Sequence, residues 1–141
     1  MPKPMKIGYQ ALIEAARREI EELTSEQLQE MLEQGNVLVV DVRERREIER
    51  DGQIPGSFNC PRGVLEFWID PASPYFKTEF GGGRRYVFYC SLDWRSALAT
   101  HTAQRMGLEN VMNLKGGFKA WKEVGGPVEL SDKVEKADKS A

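Results

Sequence analysis

The stretch that decides the fold is residues 86–96, which read Tyr86-Val87-Phe88-Tyr89-Cys90-Ser91-Leu92-Asp93-Trp94-Arg95-Ser96. Its first four residues form an apolar run without alternation, which is typical of a strand buried on both faces of a parallel sheet. The run ends at Cys90, and a helical pattern opens five residues later at Arg95. A buried strand, a short loop and a helix in this order predict one unit of an α/β protein with a parallel sheet.

Comparable units lie on both sides of this stretch. Buried strands are predicted at 37–40 and 111–114, and helical patterns at 44–50, 95–106 and 118–123. A capping box of Thr24 and Gln27 opens a further helix that stops at Gly35. Because ligands bind beyond the carboxyl ends of strands in such sheets, the pattern predicts a site where Asp41 and Cys90 fall.

The two ends of the chain differ from the middle. Residues 5–22 carry apolar side chains at helical spacing, with Arg17 and Arg18 on the other side. We expect an amphipathic helix that packs on the domain, and a partner-binding helix is the alternative. The predicted organisation is an N-terminal helical extension over 1–23, an α/β domain over 24–127 and a tail without fixed structure over 128–141.

Composition excludes several classes of protein. The 141 residues are 40% hydrophobic and carry a net charge of −2, which suits one domain and gives no overall basic bias towards nucleic acid. No apolar run approaches the ~20 residues of a membrane span. Two cysteines are too few for a disulfide framework, and the single histidine leaves too few soft ligands for structural zinc. We therefore expect a cytoplasmic protein with free thiols and no metal.

The charge is unevenly distributed. Residues 81–122 contain seven basic and two acidic side chains, so the rest of the chain is acidic. An anion-facing surface and a chance cluster on a solvated face both explain this excess.

Cys90 is the candidate nucleophile. A loop between a strand and a helix N-terminus turns its backbone N–H groups inward, which favours a thiolate, and Arg95 adds a permanent cation for an anionic substrate. The alternative is a small buried residue at a strand end. His101 lies ~9 Å further along the helix axis and is poorly placed as a base. The candidate reactions of Cys90 are therefore sulfur transfer, phosphoryl transfer and redox exchange.

Five motifs occur in a fixed order along the chain. They are VVDVRE at 39–44 followed by Glu47, GQIPGS at 52–57, PRG at 61–63, YCSLDWRS at 89–96 and GGFKAW at 116–121. With these motifs the chain resembles the rhodanese superfamily of sulfurtransferases in its single-domain form. The resemblance implies a three-layer α/β/α domain whose central, mostly parallel sheet has about five strands, with helices on both faces.

The resemblance also implies a reaction. Cys90 would attack the sulfane sulfur of a donor such as thiosulfate, form a persulfide and pass the sulfur to cyanide, a thiol or a protein acceptor, without a cofactor. The residues that would bind the donor and the persulfide are Arg95 and the loop residues Ser91, Leu92, Asp93, Trp94 and Ser96. Asp41 and Arg43 would support the site, and an ion pair that only fixes the strand end is the alternative.

Two other functions stay open. One is a persulfide carrier or interaction module without turnover. The other is a phosphatase, since related cysteine phosphatases share the cysteine-to-arginine loop. That loop has five intervening residues in the phosphatases and four here, as in rhodaneses, which favours a cradle for sulfur.

The chain also departs from the family pattern. Asp93 stands where glycine is common, and Gln53 where histidine is common. A carboxylate at 93 disfavours a nearby thiolate unless it turns outward or pairs with an arginine. We expect Trp94 to shield the rim of the site, with a partner-docking role as the alternative. For Cys60 we expect simple packing, with a resolving thiol for Cys90 as the alternative.

Overall fold

The computed structural model describes residues 1–131 and contains helices and strands in alternation. The helices are α1 (Tyr9–Glu19), α2 (Ser25–Gln34), α3 (Arg45–Asp51), α4 (Leu65–Ile69), α5 (Trp94–Met106) and α6 (Gly117–Glu123). The strands are β1 (Glu21–Leu23), β2 (Val37–Asp41), β3 (Phe58–Asn59), β4 (Arg85–Tyr89) and β5 (Val111–Leu114). Short 3-10 turns at Arg62–Val64 and Thr78–Phe80 flank α4 and the glycine-rich segment.

The described strands form one parallel sheet in the order β1-β5-β4-β2-β3. The strands β2, β4 and β5 lie where the buried apolar runs predict them. The chain must cross over the sheet between parallel neighbours, and the intervening helices make those crossovers. The predicted α/β class with about five strands is confirmed.

Two apolar clusters cover the two faces of the sheet. On one face, Val40 and Phe88 pack with Leu65 of α4 and Ala99 of α5. On the other face, the buried cluster includes Val39 of β2, Val87 of β4, Leu114 of β5, Leu28 of α2 and Trp121 of α6. Successive residues of a strand point to opposite faces, so the continuous apolar run of β4 supplies both clusters. The domain is therefore a three-layer α/β/α sandwich.

The N-terminal helix is shorter than predicted. The expected helix over 5–22 is Tyr9–Glu19, and Glu21 and Glu22 belong to β1, which pairs with β5 at the edge of the sheet. A three-residue edge strand that buries only Leu23 leaves no alternating pattern to recognise. The two-residue strand β3 was not predicted for the same reason.

Helix α1 packs against α5, and its residues Ile13 and Ala16 are buried. At the other end, residues of the predicted tail continue along the domain, where Glu129 forms an antiparallel bridge with Gln53. Residues 132–141, which complete that tail, lie outside the described part of the chain. None of the helices in residues 1–131 has the length and apolar character needed to cross a membrane.

Candidate active site

Cys90 lies directly after β4 at the carboxyl edge of the sheet, and its side chain is only 1% exposed. Two backbone groups donate to its Sγ: the N–H of Asp93 in the following loop at 3.2 Å and the N–H of Ser96 in the first turn of α5 at 3.4 Å. The hydroxyl oxygen of Ser96 lies 3.4 Å from the same sulfur. These contacts form a cradle for a thiolate, because N–H dipoles that converge on one atom favour negative charge there.

The loop turns inward through Asp93, which has a φ of 97°. A residue other than glycine in the left-handed region costs about 1–3 kcal/mol and persists only where its surroundings hold it. The turn directs the Asp93 N–H at the sulfur and starts α5 at Trp94. The cradle therefore depends on what holds Asp93.

The carboxylate of Asp93 has two partners. It accepts the backbone N–H of Gly116 at 2.7 Å and forms an ion pair with Arg17 of α1. Only 6% of the residue is exposed. Asp93 thus pairs with an arginine, which is one of the two arrangements that make a carboxylate acceptable beside a thiolate. The arginine comes from the polar side of the amphipathic helix predicted over residues 5–22.

The beginning of α6 fixes the other side of the loop. The N–H groups of Phe118 and Lys119 donate to the carbonyl oxygens of Cys90 at 2.8 Å and Ser91 at 3.1 Å. A Cβ atom on Gly117 would lie 2.6 Å from the Cys90 oxygen and 2.7 Å from the Ser91 oxygen, so the close approach requires glycine. The GGFKAW motif pointed to this segment, but no sequence feature showed that it binds the loop carbonyls.

Arg95 does not stand free in the site. Its guanidinium donates to both carboxylate oxygens of Glu47 at 2.9 and 3.0 Å and to Ser91 Oγ at 3.4 Å, with 41% of its side chain exposed. The hydrogen bond from Arg95 lowers the pKa of Glu47 to about 2. Arg95 therefore ties the loop to α3. Glu47 was part of the first motif, but nothing in the sequence paired it with Arg95.

Asp41 and Arg43 form a buried ion pair beneath the loop. Arg43 donates to Asp41 Oδ2 at 2.6 Å and to the Gly52 carbonyl at 2.8 Å. Burial lowers the pKa of the Arg43 guanidinium, but the hydrogen bond and charge of Asp41 outweigh it and the pKa is raised. The guanidinium also lies 4.6 Å from the Phe118 ring centre. The Asp41–Arg43 pair therefore connects the end of β2 to the GQIPGS motif, through Gly52, and to α6, through Phe118.

Trp94 and Leu92 lie at the rim of the site, each with 48% of its surface exposed. The Trp94 ring packs on Tyr9 of α1, with 5.2 Å between ring centres. The N-terminal helix therefore contacts the loop twice, through this ring pair and through the ion pair of Arg17 with Asp93.

A cleft of about 470 Å³ opens at the other end of the sheet. It is lined by glycines 81–83 and by residues 106–110, which precede β4 and β5. The amino ends of these strands carry none of the residues predicted to act with Cys90. The residues predicted to act with Cys90 lie instead at the carboxyl edge, where such sheets bind ligands.

The chain matches the rhodanese-like domain family over residues 24–124. It is 32% identical over 110 residues to a sulfurtransferase from Allochromatium vinosum, covering 77% of this chain and 94% of that protein. It is 28% identical over 103 residues to human thiosulfate:glutathione sulfurtransferase, covering 69% of this chain and 89% of that protein. A structure from Rhodopseudomonas palustris, described as a protein of unknown function and possible tyrosine phosphatase, is 50% identical with a TM-score of 0.86 and covers 92% and 99% of the two chains.

Proposed function

Because the chain belongs to the family of rhodanese-like domains, we propose that it is a sulfurtransferase in which Cys90 carries the transferred sulfur. The observation that supports this most is the cradle, in which the N–H groups of Asp93 and Ser96 converge on Cys90 Sγ. The proposed donor is a small anion such as thiosulfate, and the proposed acceptor is a thiol or cyanide.

The reaction has two displacement steps on sulfur. The Cys90 thiolate attacks the outer sulfur of thiosulfate, a Cys90 S–S bond forms, and the old S–S bond breaks with its electron pair leaving on sulfite. An acceptor thiolate then attacks the outer sulfur of the Cys90 persulfide. Its new S–S bond forms as the Cys90 thiolate leaves, so the enzyme returns to its first state without an added oxidant or reductant.

The burial of Cys90 fits this sequence of steps. An S–S bond is about 2.05 Å long, so a persulfide places its outer sulfur one bond beyond the buried Sγ, towards the mouth of the loop. The inner sulfur keeps the cradle contacts, and only the outer atom has to meet the acceptor. The proposed attack is by the thiolate form of Cys90, and that step involves no separate base.

Arg95 contributes to this reaction through position and charge. Its two bonds to Glu47 orient the guanidinium, and its contact with Ser91 holds the first residue of the loop. The remaining exposure of its side chain leaves the cation within reach of an incoming anion. Asp41 and Arg43 act from beneath by fixing the end of β2 and the α6 segment.

The test is the mass of the purified full chain after exposure to thiosulfate. We expect the protein to gain one sulfur atom, the Cys90→Ser variant to gain none, and the Cys60→Ser variant to behave like the unmodified chain. Multiple turnovers with glutathione or cyanide complete the assignment to an enzyme.

Two results would contradict the proposal. Uptake of sulfur without turnover supports a carrier module. Hydrolysis of an aryl phosphate without sulfur uptake supports a phosphatase, in line with the description of the Rhodopseudomonas palustris protein.

A further inference from the structure

Asp93 is the one acidic side chain of the loop that connects Cys90 to Arg95. Its negative charge is opposite to the charge that an anion site needs. Its backbone N–H donates to Cys90 Sγ at 3.2 Å, so its carboxylate belongs to the same residue that binds the sulfur. An unpaired carboxylate there disfavours the thiolate and repels an anionic donor. The site therefore needs a cation that faces Asp93.

Arg17 supplies that cation from outside the strands and loops of the site. It forms an ion pair with Asp93, and its Nε lies 3.7 Å from Glu22 Oε2 of β1. Helix α1 is held over the loop independently by the contact of Tyr9 with Trp94 and by a 2.7 Å hydrogen bond from Gln104 to the Glu19 carbonyl. Arg17 is therefore presented to Asp93 by a packed element.

Other charged groups also surround the loop. Arg95 and Glu47 form an ion pair on the α3 side, and Asp41 and Arg43 form another beneath. Within each of these pairs, the positive and the negative charge compensate each other. The negative charge of Asp93 is compensated by Arg17 of α1, since the Gly116 N–H that Asp93 also accepts carries no formal charge.

We propose that Arg17 is a positioning residue of the Cys90 site, which acts by pairing with Asp93. The pair cancels the carboxylate charge and holds the left-handed turn that directs the Asp93 N–H at Cys90 Sγ. This inference deepens the proposed function and rests on it only for its effect on sulfur transfer, because its effect on the thiol is measurable without any sulfur donor.

The test measures the rate at which iodoacetamide alkylates Cys90 in the full chain between pH 5 and pH 10. Peptide mass identifies the modified cysteine, and circular dichroism verifies the fold. For Arg17→Gln we expect the pH of half-maximal rate to rise by about one unit, so that the rate at any pH well below both midpoints falls about tenfold. Arg17→Lys restores the charge and is expected within about threefold of the unmodified chain.

The matched control is Arg18→Gln, which removes an exposed arginine from the same helix. It is expected to leave the pH profile unchanged. An equal effect of Arg17→Gln and Arg18→Gln would overturn the proposal, since it would show a general charge effect and not a specific pair.

The Asp93→Asn variant keeps the acceptor for the Gly116 N–H and tolerates the left-handed turn, but removes the charge. We expect its profile to move in the opposite direction, to lower pH, because the loop then loses its carboxylate charge while the Arg17 cation still faces it. Adding Arg17→Gln to Asp93→Asn is expected to produce less than half of the shift that it produces alone. An upward shift in Asp93→Asn, or the same Arg17→Gln shift in both backgrounds, would overturn the proposal.

Sulfur uptake from thiosulfate separates the two proposals. If the unmodified chain takes up no sulfur, the proposed function is wrong while the alkylation profiles still decide the role of Arg17. If the chain takes up sulfur and Arg17→Gln changes neither uptake nor the profile, the function stands and the role of Arg17 is wrong.

Discussion

Cys60 and Cys90 occupy equivalent places in the sheet. Asn59 of β3 and Tyr89 of β4 are both in register with Asp41 of β2, and a cysteine follows each of them. Both cysteines are buried, with 0% and 1% of their surface exposed. Strand position and burial are therefore the same, and neither of them makes a cysteine a nucleophile.

The charged neighbours are also similar. Arg62 and Glu66 form an ion pair at 3.0 Å near Cys60, and Arg95 and Glu47 form one at 2.9 Å near Cys90. The difference lies in the backbone. Cys90 Sγ accepts N–H groups from the following loop and from the first turn of α5, whereas within residues 1–131 no hydrogen-bond donor contacts Cys60 Sγ. Burial without donors raises the pKa of the Cys60 thiol to about 12.

The shared register also bears on the resolving-thiol alternative for Cys60. Strand β2 lies between β3 and β4, so the two cysteine backbones are separated by two strand spacings, roughly 10 Å. Disulfides require Cα atoms within about 7 Å. This geometry supports packing as the role of Cys60.

The largest expected difference between the two cysteines is in alkylation. At neutral pH, a thiol with a pKa of about 12 is ionised in about one molecule in 10⁵, and only the thiolate reacts. We expect iodoacetamide to modify Cys90 at least about 1,000-fold faster than Cys60 in the folded chain. Peptide mass spectrometry measures both sites in one sample.

Unfolding provides the control. In urea the two cysteines lose their environments, and we expect their rates to converge within about threefold. Comparable rates in the folded chain would break the comparison, because the backbone donors would then have no effect on reactivity.

The next expected effect tests the backbone directly. Gly117→Ala places a methyl group against the Cys90 and Ser91 carbonyls, so the loop has to move. We expect sulfur uptake to fall about 100-fold, as when a catalytic geometry is displaced by about 1 Å. The reaction rate of Cys60 in the same variant is expected to stay unchanged.

Gly125→Ala is the matched control for this substitution. Gly125 also has a positive φ, of 78°, but a Cβ there meets no atom within 4 Å. The Gly125→Ala variant therefore has the backbone strain of a positive φ but no clash with the loop carbonyls. We expect this variant to lose stability and to keep its sulfur uptake within about threefold of the unmodified chain. Equal losses of uptake in both variants would attribute the effect to strain and not to the loop.

Strands β2 and β4 could be predicted from the sequence because their apolar runs form local patterns, while the role of Cys90 as a nucleophile stays a prediction. The apolar runs ending at Asp41 and Cys90 predicted β2 and β4 almost to the residue. The partners of the loop could not be found in this way. Arg17 and Asp93 lie 76 residues apart, and Arg95 and Glu47 lie 48 apart, so each pair exists only after the sheet has formed.

The motifs contained some of the residues that contact the loop after Cys90, but they did not show which contacts those residues make. Glu47 and Gly117 were both inside recognised motifs, yet their contacts with Arg95 and with the loop carbonyls depend on how α3 and α6 approach the loop. Arg17 lay outside every motif. Helical periodicity placed it on the polar side of α1, but periodicity does not distinguish solvent from a carboxylate on a neighbouring loop.

The smallest expected effect is the loss of folding stability when the glutamate of either arginine–glutamate pair is replaced. Glu47→Gln keeps a side-chain acceptor for the Glu44 N–H and removes the charge that Arg95 faces. We expect the free energy of unfolding to fall by about 1 kcal/mol at neutral pH, a modest value because 41% of the Arg95 side chain is exposed and water screens the pair. Glu66→Gln, at the more exposed pair beside Cys60, is expected to cost only about 0.3 kcal/mol.

The pH dependence distinguishes the Glu47 pair from a loss of packing. The folded pKa of Glu47 is about 2 and its ordinary value is 4.5, so its contribution to stability is complete above about pH 4.5 and disappears as the pH falls towards 2. Urea unfolding at pH 7 and pH 3 is therefore expected to show a smaller difference between Glu47→Gln and the unmodified chain at the lower pH. A difference that stays constant would mean that the glutamine disturbs packing, and the ion pair beside Cys90 would then stabilise the fold no more than the pair beside Cys60.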